Sequence, residues 1–138
     1  MRQPTSLIRN GDGHKKCNWC GNWLAESEFS KSSSTLDKLS SRCRACLSGS
    51  RYGLTRNDLT RLLNECGWKC PICSRDIGFG TRGLHVDHDH SCCAGNKSCG
   101  RCLRGVTCGH CNKGLGYFRD DPDALLAAVK YLKKKRDA

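Results

Sequence analysis

Large apolar side chains are scarce in this chain. Leucine, isoleucine, valine and phenylalanine make up only 24 of its 138 residues. That share is about 17%, below the roughly 20% at which a highly charged chain starts to look disordered. A single large aliphatic core is therefore excluded, although the length would suit one compact domain or two small ones. No run of about 18 apolar residues occurs, which excludes a membrane-spanning helix. The opening MRQPTSLIRNGDGHKK lacks the apolar segment of a secretory signal. A reducing, cytoplasmic setting is expected, where cysteines bind metals more often than each other. Acidic residues are also few, with 13 Asp and Glu against 24 Lys and Arg and a formal net charge of +11.

Cysteine is abundant, with 13 residues, an odd number that suits metal sites better than a complete disulfide framework. Cys17 and Cys20 form one knuckle and Cys43 and Cys46 a second, 22 residues on. Cys70 and Cys73, with Cys108 and Cys111, repeat the pattern across 34 residues. Two residues between thiols let a tight turn aim both sulfurs at one point, and two such turns complete the tetrahedron zinc prefers. Four thiolates per site imply closed structural zincs; an interleaved pairing would satisfy the same spacings, but sequence order is preferred because a helical segment separates the two sets. Cys99 and Cys102 form a further knuckle in the Gly-rich HSCCAGNKSCGRC. A third zinc there would take Cys92 or Cys93 as its fourth ligand, with His90 as a rival. Cys66 reads as a small buried hydrophobe.

The expected fold is small, α+β and zinc-stabilised. Residues 1–16 read as a flexible basic tail, 17–50 as an N-terminal four-cysteine zinc module, and 51–138 as a second domain. Within the first module Trp19, Trp23, Leu24 and Phe29 are the residues available to pack beside the metal, and SKSSSTLDKLSS reads as an exposed loop. Thr55 and Asp58 form a capping-box-like start. Leu59, Leu62, Leu63 and Cys66 then mark a helix over about 56–66, stopped by Gly67. Leu84–Val86 alternates as a short strand. A helix is expected over 112–118, and another from the N-cap Asp121 and Pro122, with Leu125, Val129 and Leu132 on its inner face.

Between the halves of the second cysteine site lies Asp87-His88-Asp89-His90, and Asn112 follows its last ligand. A carboxylate and an amide oxygen are hard ligands suited to Mg²⁺ or Mn²⁺. A neutral imidazole beside them can act as general base. Together they suggest metal-assisted phosphodiester hydrolysis; a solvent-facing polar strand end or metal store is the plainer alternative. An ideal strand puts Asp87 and His88 on opposite faces, so a joint site requires the strand to bend or end there.

YGLT at 52–55, CPIC at 70–73, VDHDH at 86–90, RG at 104–105, CGHCNKGLGYF at 108–118 and DDP at 120–122 resemble the recombination endonuclease VII family. That family belongs to the HNH, or ββα-metal, nucleases and has many phage-encoded relatives. The resemblance runs from about Tyr52 to Leu132. It implies a ββα-metal core with a C-terminal helix over 51–138. It also implies a one-metal mechanism in which Asp87 and Asn112 hold the catalytic ion and His88 activates water. His90 would orient or neutralise the phosphate, and Cys70, Cys73, Cys108 and Cys111 would hold structural zinc. Arg104 is a candidate phosphate clamp. The cysteines between His90 and Leu103 depart from the family's minimal motif, and the middle Asn has no assigned match, Asn96 being in the right interval. A phage protein of this kind would work in the bacterial host's cytoplasm.

Basic surplus is spread over the chain, with 8 Lys and Arg against 4 acids in residues 1–50 and 16 against 9 thereafter. Such a balance favours nucleic acid over a membrane surface as partner. Each zinc held by four thiolates adds a net charge of about −2, so two sites lower the formal +11 to about +7 and three to about +5. A zinc-finger-type DNA-binding regulator or recombination accessory protein without nuclease activity is the competing reading.

Overall fold

The computed structural model describes residues 5–79 and 83–134. Among these residues the chain forms three two-stranded antiparallel sheets and four α-helices. β1 (Lys15–Lys16) pairs with β2 (Trp23–Leu24), and the turn between them carries Cys17 and Cys20. β3 (Phe29–Lys31) pairs with β4 (Leu39–Cys43), which runs directly into α1 (Arg44–Gly49). Cys43 and Cys46 thus sit at a strand end and on the first helical turn. A 3-10 turn at Ser50–Tyr52 leads to α2 (Arg56–Glu65). β5 (His85–His88) and β6 (Leu103–Thr107) pair antiparallel and are followed by α3 (Gly109–Tyr117) and α4 (Pro122–Lys133). The fold is the small α+β arrangement expected, with a β–β–α unit over 85–117.

Sulfur takes the place of missing hydrocarbon. Twelve buried apolar residues form one continuous cluster, and five of them are Cys17, Cys43, Cys46, Cys70 and Cys108. Phe29, Leu59 and Leu63 are its only large fully buried carbon side chains among the described residues. The cysteines converge in sequence order, Cys17, Cys20, Cys43 and Cys46 in one group and Cys70, Cys73, Cys108 and Cys111 in the other. Within each group all four sulfurs lie within 4.8 Å of one another. Backbone N–H groups point at them: Cys43 N–H to Cys17 Sγ at 3.3 Å, and Arg56 N–H to Cys46 Sγ at 3.2 Å. The second bond ties the N-terminus of α2 to the first group.

The start of α2 follows the sequence signal. Thr55 Oγ1 accepts the Asp58 N–H, and the Asp58 carboxylate accepts the Thr55 N–H at 2.8 Å. Leu59 and Leu63 are buried, whereas Leu62 and Cys66 are only half-buried. Cys66 is therefore not the buried residue expected; it caps the helix where the last turn reaches the surface, and its thiol donates to Leu63 O at 3.3 Å. Gly49 is held by a close approach: a Cβ there would lie 2.5 Å from Leu54 O.

Four further expectations are corrected. The described part of the basic segment, 5–16, is not loose. It includes a 3-10 turn at Thr5–Leu7 and β1, and Lys15 is buried against Asp37. Residues 1–4 lie outside the described residues, as do Lys135 and Arg136 of the C-terminal basic run. The Ser-rich segment is a β-hairpin whose turn delivers Asp37 to Lys15. Trp19 and Trp23 do not pack beside the sulfurs; they are exposed beneath Arg42 and Lys16, at 4.7 and 5.9 Å. The α4 helix starts at Asp121 and Pro122 as expected, but among the described residues much of its apolar face stays exposed. Val129 and Leu132 are 45% and 81% exposed.

Asp37 is the polar counterpart of the sulfur core. Burial raises its carboxyl, but the Lys15 ammonium, the Leu39 N–H and Arg9 outweigh burial and hold it at about 2. The value lies below the roughly 3.9 of an unfolded aspartate. This stabilisation is therefore complete above about pH 4 and is lost as the pH falls towards 2. Asp37→Asn leaves Lys15 buried without its counter-charge and is expected to cost about 3 kcal/mol at neutral pH, read from urea unfolding. An unchanged midpoint would mean that the pair adds nothing.

Candidate active site

The candidate site requires β5 to bend or end at Asp87 and His88, and β5 does end at His88, opposite a bulge in β6. Along β5 and β6, Asp87 pairs with Gly105 but His88 pairs with Leu103, so Arg104 is an extra residue in a β-bulge. Gly105 adopts φ +140°, a conformation that a side chain would strain. β5 ends at His88. As a result Asp87 and His88 line a single pocket of about 60 Å³, together with Tyr52, His90, Asn96 and Asn112. Open clefts of about 360, 340 and 370 Å³ also occur, the second of them sharing Asp87 and Arg104, but none of the three gathers both histidines, the carboxylate and the amide.

His88 is 3% exposed. Its ring lies 5.7 Å from that of Tyr52 and 4.5 Å from that of His90. Its Nε2 is 3.0 Å from the backbone carbonyl of Cys93. A carbonyl oxygen only accepts, so Nε2 carries a proton, and in the neutral ring Nδ1 then holds the lone pair. The geometry thus selects the tautomer in which Nδ1 can take a proton.

Asp87 is 6% exposed, and its carboxylate faces a guanidinium. Arg104 reaches it through Nε at 2.8 Å and Nη2 at 3.3 Å. The same Nη2 donates to His88 O at 3.1 Å and to Asp120 Oδ2 at 2.9 Å. His90 Nδ1 meets that Asp120 oxygen, also at 2.9 Å. The Asp120 carboxyl is held below the usual carboxylate range, first by His90 and, against burial, by Arg104. Arg119 and Asp120 both take positive φ between α3 and α4, which aims Asp120 at this network. Arg104 is thus committed to two carboxylates and is not a free phosphate clamp.

Asn112 is carried by the first turns of α3. The N-cap there is Cys108, whose sulfur accepts the Cys111 N–H at 3.4 Å, and Asn112 N–H bonds Cys108 O at 3.0 Å. The second cysteine group therefore fixes the helix end that presents Asn112. Its thiols have divided charge. Burial raises Cys70, but the N–H groups of Cys108, Cys73 and Ile72 bring it down to about 6. Burial and the neighbouring sulfurs push Cys111 up. Four sulfurs this close cannot all ionise without a cation among them.

Cys92, Cys93, Cys99 and Cys102 form a third such group, again with all sulfurs within 4.8 Å of one another. Both Cys92 and Cys93 belong to it, and His90, the rival ligand, instead bonds Asp120. The sequence-derived residues Asp87, His88, His90 and Asn112 all meet at one pocket. Sequence reasoning missed Tyr52, Asp120 and the Cys93 carbonyl as neighbours of that pocket. YGLT and DDP carried the first two as motif residues without roles; a backbone carbonyl leaves no mark in a sequence.

The set of donors fits a hard divalent ion. A carboxylate and an amide line a pocket well above the 10–15 Å³ or so that one water needs, and a cationic guanidinium already answers the buried Asp87 charge. Among the described residues no helix is long and apolar enough to cross a membrane. The ββα-Me type II restriction endonuclease Hpy99I is 27% identical, with a TM-score of 0.38, and the match covers 87% of this chain and 65% of that one. This chain therefore spans just under two thirds of that protein's length. No curated protein matches. The family model for recombination endonuclease VII matches residues 45–134, about two thirds of the chain. With that match carrying the β–β–α unit and its pocket, the chain belongs to the recombination endonuclease VII family.

Proposed function

We propose that this nuclease is a divalent-metal-dependent DNA endonuclease of the HNH kind, with His88 as general base. The observation that carries the reading is the pocket itself. It holds a buried carboxylate, an amide and a buried imidazole whose Nε2–H is spent on Cys93 O, leaving Nδ1 as the base. A Mg²⁺ or Mn²⁺ ion held by Asp87 and Asn112 would supply charge stabilisation at the phosphorus and the departing 3′-oxygen. His88 Nδ1 takes a proton from water as the water oxygen bonds to phosphorus and the bond to the 3′-oxygen breaks. His90, half-exposed at the mouth and paired with Asp120, orients the phosphate. Arg104 holds Asp87 in place and links it to Asp120. The basic surplus of the chain supports a polyanionic substrate.

Supercoiled plasmid with Mg²⁺ or Mn²⁺ tests the reading. Wild type is expected to nick or linearise it, and His88→Ala to be slower by about 10²–10⁴-fold while retaining DNA binding in a gel shift. Plasmid left intact by the wild type, but bound, would favour the binding-regulator reading. Equal cutting by wild type and variant would remove His88 from the chemistry.

The first two cysteine groups are proposed as structural zinc sites, since soft thiolates in fours select zinc. Zinc binding is then folding free energy. A strong chelator is expected to abolish the far-ultraviolet helical signal, and Mg²⁺ alone should not restore it. Retention of that signal in zinc-free protein would refute the structural role.

A further inference from the structure

The third cysteine group lies outside the core, yet its backbone encloses the end of β5. Asp89, between the two histidines, donates its N–H to Cys102 O at 2.9 Å. Its own carbonyl accepts the N–H groups of Cys92 and Cys93, both at 3.1 Å. Cys93 O then holds His88 Nε2 at 3.0 Å. Three of the four cysteines in the group therefore bond, through their backbone, to His88 or to the residue after it. The loop is also latched to the other wall of the pocket. Ser98 N–H donates to Arg51 O at 3.2 Å, beside Tyr52, whose ring lies 5.7 Å from that of His88.

The sulfurs have metal-site dimensions. A Zn–S length of about 2.3 Å places the corners of a regular tetrahedron about 3.8 Å apart, whereas a disulfide would bring two sulfurs to about 2.05 Å. Cys92 to Cys99, Cys92 to Cys93 and Cys99 to Cys102 measure 3.9, 4.0 and 3.9 Å. Cys92 and Cys99 are exposed, unlike the buried sulfurs that hold the first two groups in the core.

We infer that Cys92, Cys93, Cys99 and Cys102 bind a third zinc whose task is to position His88, by fixing the Cys93 carbonyl that orients the imidazole. Cys93 is then a positioning residue, and the zinc acts on the reaction only through His88. This rests on the nuclease reading for its consequence in cleavage, but not for the metal or for the ring geometry.

The test removes two ligands that do not touch His88. Cys99→Ser/Cys102→Ser should lower the zinc content from three to two per chain. It should cut kcat by about 10–100-fold, the range for loss of a supporting contact behind a reactive group, and leave KM for DNA unchanged. In a His88→Ala background the same double change should cost nothing further, because the two act as a unit. Unchanged kcat, or an equal loss in both backgrounds, would overturn the proposal. Should the variant fail to fold, wild-type protein decides through its zinc content and its histidine-ring ¹⁵N spectrum. Three zincs and an Nε2-protonated His88 support the proposal; two zincs, or the Nδ1-protonated form, refute it. If wild type cuts no DNA, the nuclease reading fails while these two measurements still judge the metal and its hold on His88.

Discussion

Mutual repulsion among clustered thiolates is the constraint on which this structure depends. Four sulfurs within 4.8 Å of one another carry at most part of their possible charge unless a cation sits between them. That demand converts a weakness of composition into a fold. Phe29, Leu59 and Leu63 are the only large carbon side chains fully buried among the described residues. At roughly 1.5–3 kcal/mol each they cannot offset the ordering of more than a hundred residues. A metal ion in each buried group would tie two distant chain segments at one point, and the surrounding N–H groups of Cys43, Arg56 and Cys111 aim at the sulfurs involved.

The candidate pocket follows from where the second of these groups falls. Cys108 is both a member of its group and the N-cap of α3, so the sulfur cluster sets the helix end that carries Asn112. Cys108 also directly follows β6, which carries the bulge that turns Asp87 and His88 into one pocket. Charge balance completes the arrangement. The Arg104 guanidinium reaches both Asp87 and Asp120 as well as His88 O, and His90 Nδ1 bonds Asp120. Buried carboxylates need that compensation.

Much of this is written locally in the sequence, and those parts were legible. The knuckle spacings gave the first two sulfur groups in their true pairing. The Thr55–Asp58 box and the Asp121–Pro122 start gave two helix beginnings, because caps depend on neighbours a few residues apart. Asp87, His88, His90 and Asn112 could be named from residue type and their position relative to the cysteines. Features set by distant segments stayed hidden. The burial of Lys15 depends on Asp37, 22 residues away across a hairpin that composition presents as a loop. The bulge at Arg104 depends on pairing register, which residue types alone do not reveal. Periodicity in α4 marked an apolar face correctly but did not tell whether anything covers it.

The three sulfur groups divide the work of the molecule by where they are buried. The first two contribute five cysteines to the continuous core and share it with Leu59 and Leu63, so disturbing either disturbs the whole fold. The third contributes none to that core, and two of its cysteines are exposed. Its hydrogen bonds instead run to His88, Asp89 and Arg51 around one pocket. A metal placed there adds little to the interior but removes freedom from the loop that carries the Cys93 carbonyl. Orientation of a general base needs such local rigidity more than global stability, because a misaimed ring costs rate without unfolding anything. In a chain too poor in hydrocarbon to brace a surface loop by packing, a zinc at that loop would be an economical way to aim the histidine.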